Sequence, residues 1–250
     1  RDLVRSRGLG DVYKRQGTDP QIPNLDYQES SLLSTYGRLG YSFKDKYFLN
    51  ATLRYDGSSR LAKGYEWDYF PAVGSSWRVS EEPIFKEISW FPSAKIRASW
   101  GISGKQSISP YQSLSVITSR VGSANGFGLS QIAYPSRIGN DGLAWEKNEE
   151  LDLGIDLSFL NGRYSLTMDL YRKTSEDLLI DLPTPNYTGF AVNATNFGKL
   201  RNEGLEIQLN VTPIDNEFKW NSNLNFTFKI DNKVKFSLIN SLAKYIPSSL

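Results

Sequence analysis

Hydrophobic and polar residues alternate with a period of two along most of this chain. The clearest run lies at 145–172, WEKNEELDLGIDLSFLNGRYSLTMDLYR. Leu151, Leu153, Ile155, Leu157 and Phe159 fall on one face of a predicted strand; Glu150, Asp152, Gly154, Asp156 and Ser158 fall on the other. After Leu160, Asn161 and Gly162 the pattern resumes, with Tyr164, Leu166, Met168 and Leu170 opposite Ser165, Thr167 and Asp169. Strict alternation on both sides of an Asn-Gly step predicts a β-hairpin, because both turn residues tolerate the positive φ that a tight turn demands. From this stretch alone, a half-buried hairpin of a soluble β-sandwich and a wall hairpin of a barrel are both open.

The same alternation predicts strands over about 31–43, 47–56, 68–79, 94–102, 200–211 and 218–230. In the second of these, Tyr47, Leu49, Ala51, Leu53 and Tyr55 oppose Asn50, Thr52, Arg54 and Asp56. A Tyr at each end of an apolar band fits an interfacial aromatic girdle, and equally an ordinary core tyrosine. Ser80, Glu81 and Glu82 are expected to cap a short turn or helix carrying Pro83, with Phe85 and Trp90 beneath it. Between the strands the connections run short (44–46), long (57–67), moderate, long (103–144), short (160–162), long (173–199) and short (213–217). Tight turns at one end and long loops at the other are what an outer-membrane barrel shows. A sandwich has less reason to keep its long loops together, although antibody-like domains partly do. Asn, Asp, Thr, Ser, Arg and Lys recur on one face of every strand, as a water-filled or plugged lumen requires.

Composition then removes alternatives. The 250 residues include 13 Phe, 14 Tyr and 6 Trp but neither Cys nor His. Disulfides, thiolate nucleophiles, imidazole bases and most zinc or haem chemistry are thereby excluded. A formal charge of +2 makes no case for a nucleic-acid partner. No run approaches the roughly 18–20 apolar residues of a membrane helix, which leaves a strand-built membrane protein open.

Five blocks resemble the SusC/RagA-type TonB-dependent outer-membrane transporters. They are YFLNATLRYDGSSRL at 47–61, YFPAVGSSWRVSEEPIF at 69–85, AKIRASWGISGKQSISPYQSL at 94–114, the hairpin block at 145–179 and NFGKLRNEGLEIQLN at 196–210. They occur in family order across 31–230. The resemblance implies an all-β fold, an antiparallel transmembrane β-barrel segment of about eight strands from a barrel of about 22 strands. It implies import without chemistry on the substrate, no cofactor, and the outer membrane of a Gram-negative, Bacteroidota-type bacterium. A SusD-like surface lipoprotein and the TonB–ExbB–ExbD complex are the implied partners, the latter acting through a plug domain expected to lie outside this chain. The implied ligand is an oligosaccharide or a peptide, and outer-membrane lipid surrounds the barrel. The alternative is a soluble β-sandwich carbohydrate-binding module, whose apolar faces a second sheet should bury.

Candidate site residues follow from position. Tyr111, Phe127, Tyr134, Tyr187 and Phe190 lie in the long loops, where aromatic rings either stack on sugar faces or pack the loops together. Asp56, Gly57, Ser58 and Ser59 read as a structural turn at the top of a strand. Glu150, Asp152 and Asp156 share a strand face, which suggests paired acids or a cation site, or simply lumen solvation. Glycoside hydrolysis needs two carboxylates facing each other across a cleft. Asp152 and Asp156 instead point the same way, roughly 13 Å apart, so no catalytic or metal-binding residue is assigned. Residues 1–16, RDLVRSRGLGDVYKRQ, show neither periodicity and resemble translated adapter sequence in environmental DNA assemblies. They are expected to be non-native, with 17–250 forming part of the barrel domain of a longer protein.

Overall fold

The computed structural model describes residues 27–88, 93–123, 129–215 and 218–235. The segment 1–16, Trp90 and Phe127 lie outside the described residues. Eight strands form one antiparallel sheet: β1 (Leu32–Phe43), β2 (Tyr47–Ser58), β3 (Trp67–Arg78), β4 (Ser93–Lys105), β7 (Glu146–Phe159), β8 (Tyr164–Glu176), β11 (Lys199–Asp215) and β12 (Lys219–Lys235). Each pairs with the next in that order, as a meander. Two separate hairpins stand in the long connections: β5 (Val116–Ser123) with β6 (Leu129–Arg137), and β9 (Leu179–Pro183) with β10 (Val192–Asn196).

Both hairpins correct the sequence reading, which leaves 103–144 and 173–199 without strands. Their Ser, Gly, Thr and Asn residues dilute the alternation below what a half-buried strand displays. The expected turn at 213–217 is corrected too. β11 runs through Pro213 to Asp215, and the ladder to β12 is irregular between Val211 and Ile214. A proline fits at such an irregularity, where its missing N–H costs no ladder bond. The 145–172 hairpin forms as expected, but its turn spans the four residues between paired Phe159 and Tyr164. Leu160 and Asn161 both adopt positive φ there. Arg163 fixes this turn to the next strand: its carbonyl accepts Thr212 N–H at 2.7 Å and its Nε donates to the Thr212 carbonyl at 3.2 Å.

Burial is inverted relative to a soluble sheet. On β7, Leu153 is 48% and Ile155 43% exposed, whereas Gly154 between them is buried. Leu39, Leu49, Leu53, Val73, Ile96, Leu170, Leu224, Phe226 and Phe228 are exposed in the same manner. No second sheet covers this face among the described residues. A contiguous apolar surface of this extent requires an apolar solvent or a partner.

Aromatic rings bound the apolar face at both ends of β2. At the short-turn end Tyr47 stacks on Phe43 and on Trp77, with centroids 6.4 and 6.3 Å apart. At the other end Tyr55 stacks on Trp67 at 4.9 Å and on Tyr69 at 4.4 Å. The eight-residue interval between Tyr47 and Tyr55 spans about 27 Å of strand. A tilt of about 40° reduces that to roughly 20 Å along the normal, near the ~25 Å apolar band of outer-membrane barrels.

The short helix α1 (Pro83–Lys86) follows β3. Its N-cap residue, Glu82, makes no side-chain cap bond, contrary to the capping expected from sequence. The carboxylate is engaged elsewhere: Tyr47 Oη donates to it at 2.7 Å, Trp77 Nε1 at 3.2 Å and Lys46 Nζ at 3.2 Å. These donors, the Tyr47 hydroxyl first, hold the Glu82 carboxyl below the ordinary glutamate range. A lowered folded-state value means the clamp is fully present above the ordinary value, about 4.3, and is lost as pH falls through the lowered one. Acidification to below the ordinary glutamate range is therefore expected to release Trp77, read as a fluorescence change that Glu82→Gln abolishes. An identical acid transition in that variant would assign the change to another group.

Candidate functional site

Period-two alternation places the polar side chains on the face opposite the exposed leucines. Arg97 on β4, Gly154 on β7 and Asp169 on β8 are direct register partners. The guanidinium of Arg97 reaches across Gly154: Nη2 donates to Asp169 Oδ1 at 2.7 Å, and Nε donates to Asp156 Oδ2 at 2.8 Å. Thr167 Oγ1 adds a bond to Asp156 Oδ1 at 3.2 Å. A Cβ at position 154 would collide with both Asp169 Oδ1 and the Arg97 guanidinium, so glycine here is space for a cross-strand ion pair. Glu150, Asp152 and Asp156 do share this face, and Asp156 is taken up by Arg97. Among the described residues no group of three acids could hold a metal ion. Beside this triad lies a trough of about 410 Å³ bordered by Arg38, Asn50, Thr52, Ala72, Gly74, Ser99, Gly101, Ser103 and Glu150.

Most of the buried apolar side chains lie at the long-loop end instead of inside the sheet. Leu61, Phe70 and Trp145 form one cluster; Ala62, Leu143 and Ala194 form another, and Ile108 touches both. The Trp145 ring meets Phe70 edge-on at 5.3 Å, and its Nε1 donates to the Glu66 carbonyl at 2.8 Å. Backbone bonds add to this, with Ala62 N–H on the Leu143 carbonyl at 2.9 Å. Two asparagines join the β9–β10 hairpin to the β4–β7 connection. Asn140 Nδ2 donates to the Ala194 carbonyl at 2.8 Å. Asn196 accepts Ala144 N–H on Oδ1 at 2.8 Å and donates from Nδ2 to the Ala144 carbonyl at 2.9 Å. Its side-chain amide thus pairs with a peptide group as a neighbouring strand does. The same Nδ2 also donates to the Asp177 carbonyl at 2.9 Å.

The turn expected at Asp56–Ser59 is corrected: Asp56, Gly57 and Ser58 end β2 as ladder residues paired with β1, and the turn begins only at Ser59. Asp56 and Ser58 are both 2% exposed. Asp56 Oδ2 pairs with Arg54 Nε at 2.8 Å, while its Oδ1 has no partner among the described residues. Ser59 Oγ accepts Ser31 N–H at 2.8 Å. Arg60 bonds the Ile108 carbonyl and Ser30 Oγ, each at 3.2 Å, and so ties the start of β1 to the β4–β7 connection.

The loop aromatics are spread through the same region. Tyr111 has φ 61° and its hydroxyl accepts Glu29 N–H at 3.1 Å. Tyr134 stands on β6, while Tyr187, 90% exposed, and Phe190 stand in the β9–β10 turn. None of these four makes a ring–ring contact among the described residues. Arg97, Asn140, Trp145 and Asn196 were not singled out in sequence. Arg97 alone carried a signal, as a cation opposite a glycine on the polar face of paired strands.

The family model described as TonB dependent receptor-like, beta-barrel matches residues 2–248. TonB-dependent receptor P39 of Formosa agariphila is 36% identical over 206 residues, covering 81% of this chain and 19% of that protein. TonB-dependent receptor SusC of Bacteroides thetaiotaomicron is 33% identical over 207 residues, covering 80% and 20%. The solved structure of the RagAB peptide transporter superposes with a TM-score of 0.76 at 26% identity, covering 84% of this chain and 23% of that one. This chain therefore spans about a fifth of the length of the curated relatives it matches.

Proposed function

Because this chain belongs to the TonB-dependent receptor β-barrel family, we propose that it forms part of the wall of an outer-membrane importer. Its exposed apolar face meets lipid, its polar face lines the lumen, and its loop cap faces the outside of the cell. The observation that carries this reading is the inverted burial of β7, apolar outward and polar inward, on a sheet whose apolar face is bounded at both ends by aromatic rings on β2 and β3. The ligand is an oligosaccharide or a peptide, held where the exposed loop aromatics Tyr111, Tyr134 and Tyr187, with the half-buried Phe190, meet the upper lumen. A SusD-like lipoprotein covers that opening, in line with the resemblance to SusC and RagAB. TonB supplies the work through a plug domain. The wall's role is passive and electrostatic: Arg97 is shared between Asp156 and Asp169, offsetting one of their two negative charges and tying β4, β7 and β8 together.

This chain contains no Cys, so in full-length protein with any cysteines outside this chain replaced, a single introduced cysteine reports on one position. With a membrane-impermeant maleimide on intact cells, Tyr187→Cys is expected to label rapidly. Leu153→Cys is expected to label at least about tenfold more slowly, because lipid shields it, until the membrane is dissolved. Equal rates in intact cells would withdraw the membrane reading. Uptake of labelled oligosaccharides against labelled oligopeptides, with and without TonB, then separates the two ligand classes.

A further inference from the structure

The upper margin of the apolar face is built in two different ways. Over β2–β4 it is aromatic: Tyr55, Trp67 and Tyr69 stack, and Trp100 Nε1 donates to Glu149 at 2.7 Å. Over β8, β11 and β12 it is ionic. Leu170, Leu205 and Phe228 are register partners across these strands. One step above them Arg172 pairs with Glu203, and Glu203 with Asp231; Arg201 and Lys233 follow. Glu203 Oε1 accepts from Arg172 Nε and from Arg201 Nε and Nη2, the Arg201 Nε bond being 2.7 Å. Lys233 Nζ sits 2.5 Å from Asp231 Oδ2.

Three cations thus share two carboxylates, a surplus of +1, directly above an apolar strip. One carboxylate oxygen serves both guanidiniums, so Arg172 Nη1 and Nη2 and Arg201 Nη1 have no partner among the described residues. The Arg172 and Arg201 side chains are 52% and 36% exposed. Where the surroundings change from lipid to water, unfilled guanidinium donors favour a bidentate oxyanion. A molecule that places acyl chains on Leu170, Leu205 and Phe228 puts its headgroup at this height.

We propose that Arg172 and Arg201 hold the phosphate of an anionic outer-leaflet lipid whose acyl chains lie on the β8–β11–β12 face. This rests on the membrane reading above. Glu203 competes with the phosphate for the two guanidiniums. The occupant is an amphiphile, because the donors and the apolar strip adjoin on one face.

The test is native mass spectrometry of the full-length protein in detergent with added lipid A, a bisphosphorylated, multiply acylated lipid. Dephosphorylated lipid A and inorganic phosphate serve as controls. The R172Q/R201Q variant is expected to weaken lipid A binding about tenfold or more. E203Q, which removes the competing carboxylate, is expected to strengthen it a few-fold. The dephosphorylated lipid is expected to bind wild type as weakly as lipid A binds the double variant. Unchanged binding in the double variant overturns the proposal. So does weaker binding in E203Q, which would reveal a merely structural cluster. Displacement of lipid A by excess inorganic phosphate would reassign the site to a free anion and overturn the lipid. Failure of the membrane reading shows separately, as rapid labelling of Leu153→Cys.

Discussion

Arginine in place of Leu153 is expected to destabilise the folded, membrane-inserted protein by about 2–4 kcal/mol. Leu153 lies midway along β7, 48% exposed, between exposed Leu151 and Ile155 and beside Ala98 and Leu170 in register. A guanidinium there must either stay in hydrocarbon or draw water and headgroups inward, and both cost free energy. The polar face sets the control. Ser99→Arg on β4 projects from the opposite face into the trough between Arg38 and Glu150, where water and a carboxylate receive it. Its cost is expected to stay within about 0.5 kcal/mol, as for other solvated substitutions. Denaturant titration of the full-length protein refolded into phospholipid vesicles measures both. Equal costs would mean that the two faces are not differently solvated.

Trp145→Ala is expected to remove about 3–5 kcal/mol, and to remove it locally. Trp145 is 3% exposed, packs on Phe70 and Leu61, and donates its indole N–H to the Glu66 carbonyl. Truncation opens a cavity and strands that carbonyl, both in the cap and not in the sheet. The sheet's ladder is independent of the indole, so the heat-resistant barrel band on gels is expected to persist. Protease cleavage within 59–66 and 177–198 is expected to rise by two to three orders of magnitude or so, following the larger open population. Trp145→Phe, which keeps most of the buried area but lacks the donor, is expected to fall between. Cleavage unchanged from wild type would show that the three loops hold without this side chain.

The eight wall strands were legible because each must keep one apolar face toward lipid and one polar face toward water, so two solvents write the same alternation into every strand. Leu151 to Phe159 and Tyr47 to Tyr55 carry it without interruption. The loop hairpins were not legible for the converse reason. Ile117 and Val192 are exposed while Ala194 is buried in the cap, so no two-solvent boundary writes a period of two into these hairpins. Pro213 misled through a sound local rule that a ladder irregularity suspends. Glu82 misled in a similar way, since a carboxylate before Pro83 reads as a cap until Tyr47, Trp77 and Lys46 arrive from other elements. The cap itself rests on pairings at long sequence distance, such as Trp145 with Glu66 and Asn196 with Ala144. Nothing local to either residue announces them. Arg97 lies between these cases, since register alone, once the strands are paired, brings it opposite Gly154.

The side-chain amide of Asn196, acting as a surrogate strand for Ala144, separates two kinds of loop residue. The anchoring atoms belong to 138–146 and to the feet of the β9–β10 hairpin, whereas Ile117, Tyr134 and Tyr187 stand clear of every anchor. Length and chemistry beyond the feet are therefore free to drift while the mounting stays fixed. On the proposed reading the rim works as a socket with interchangeable heads, and a replaced β5–β6 hairpin is expected to inherit a foundation it does not have to build.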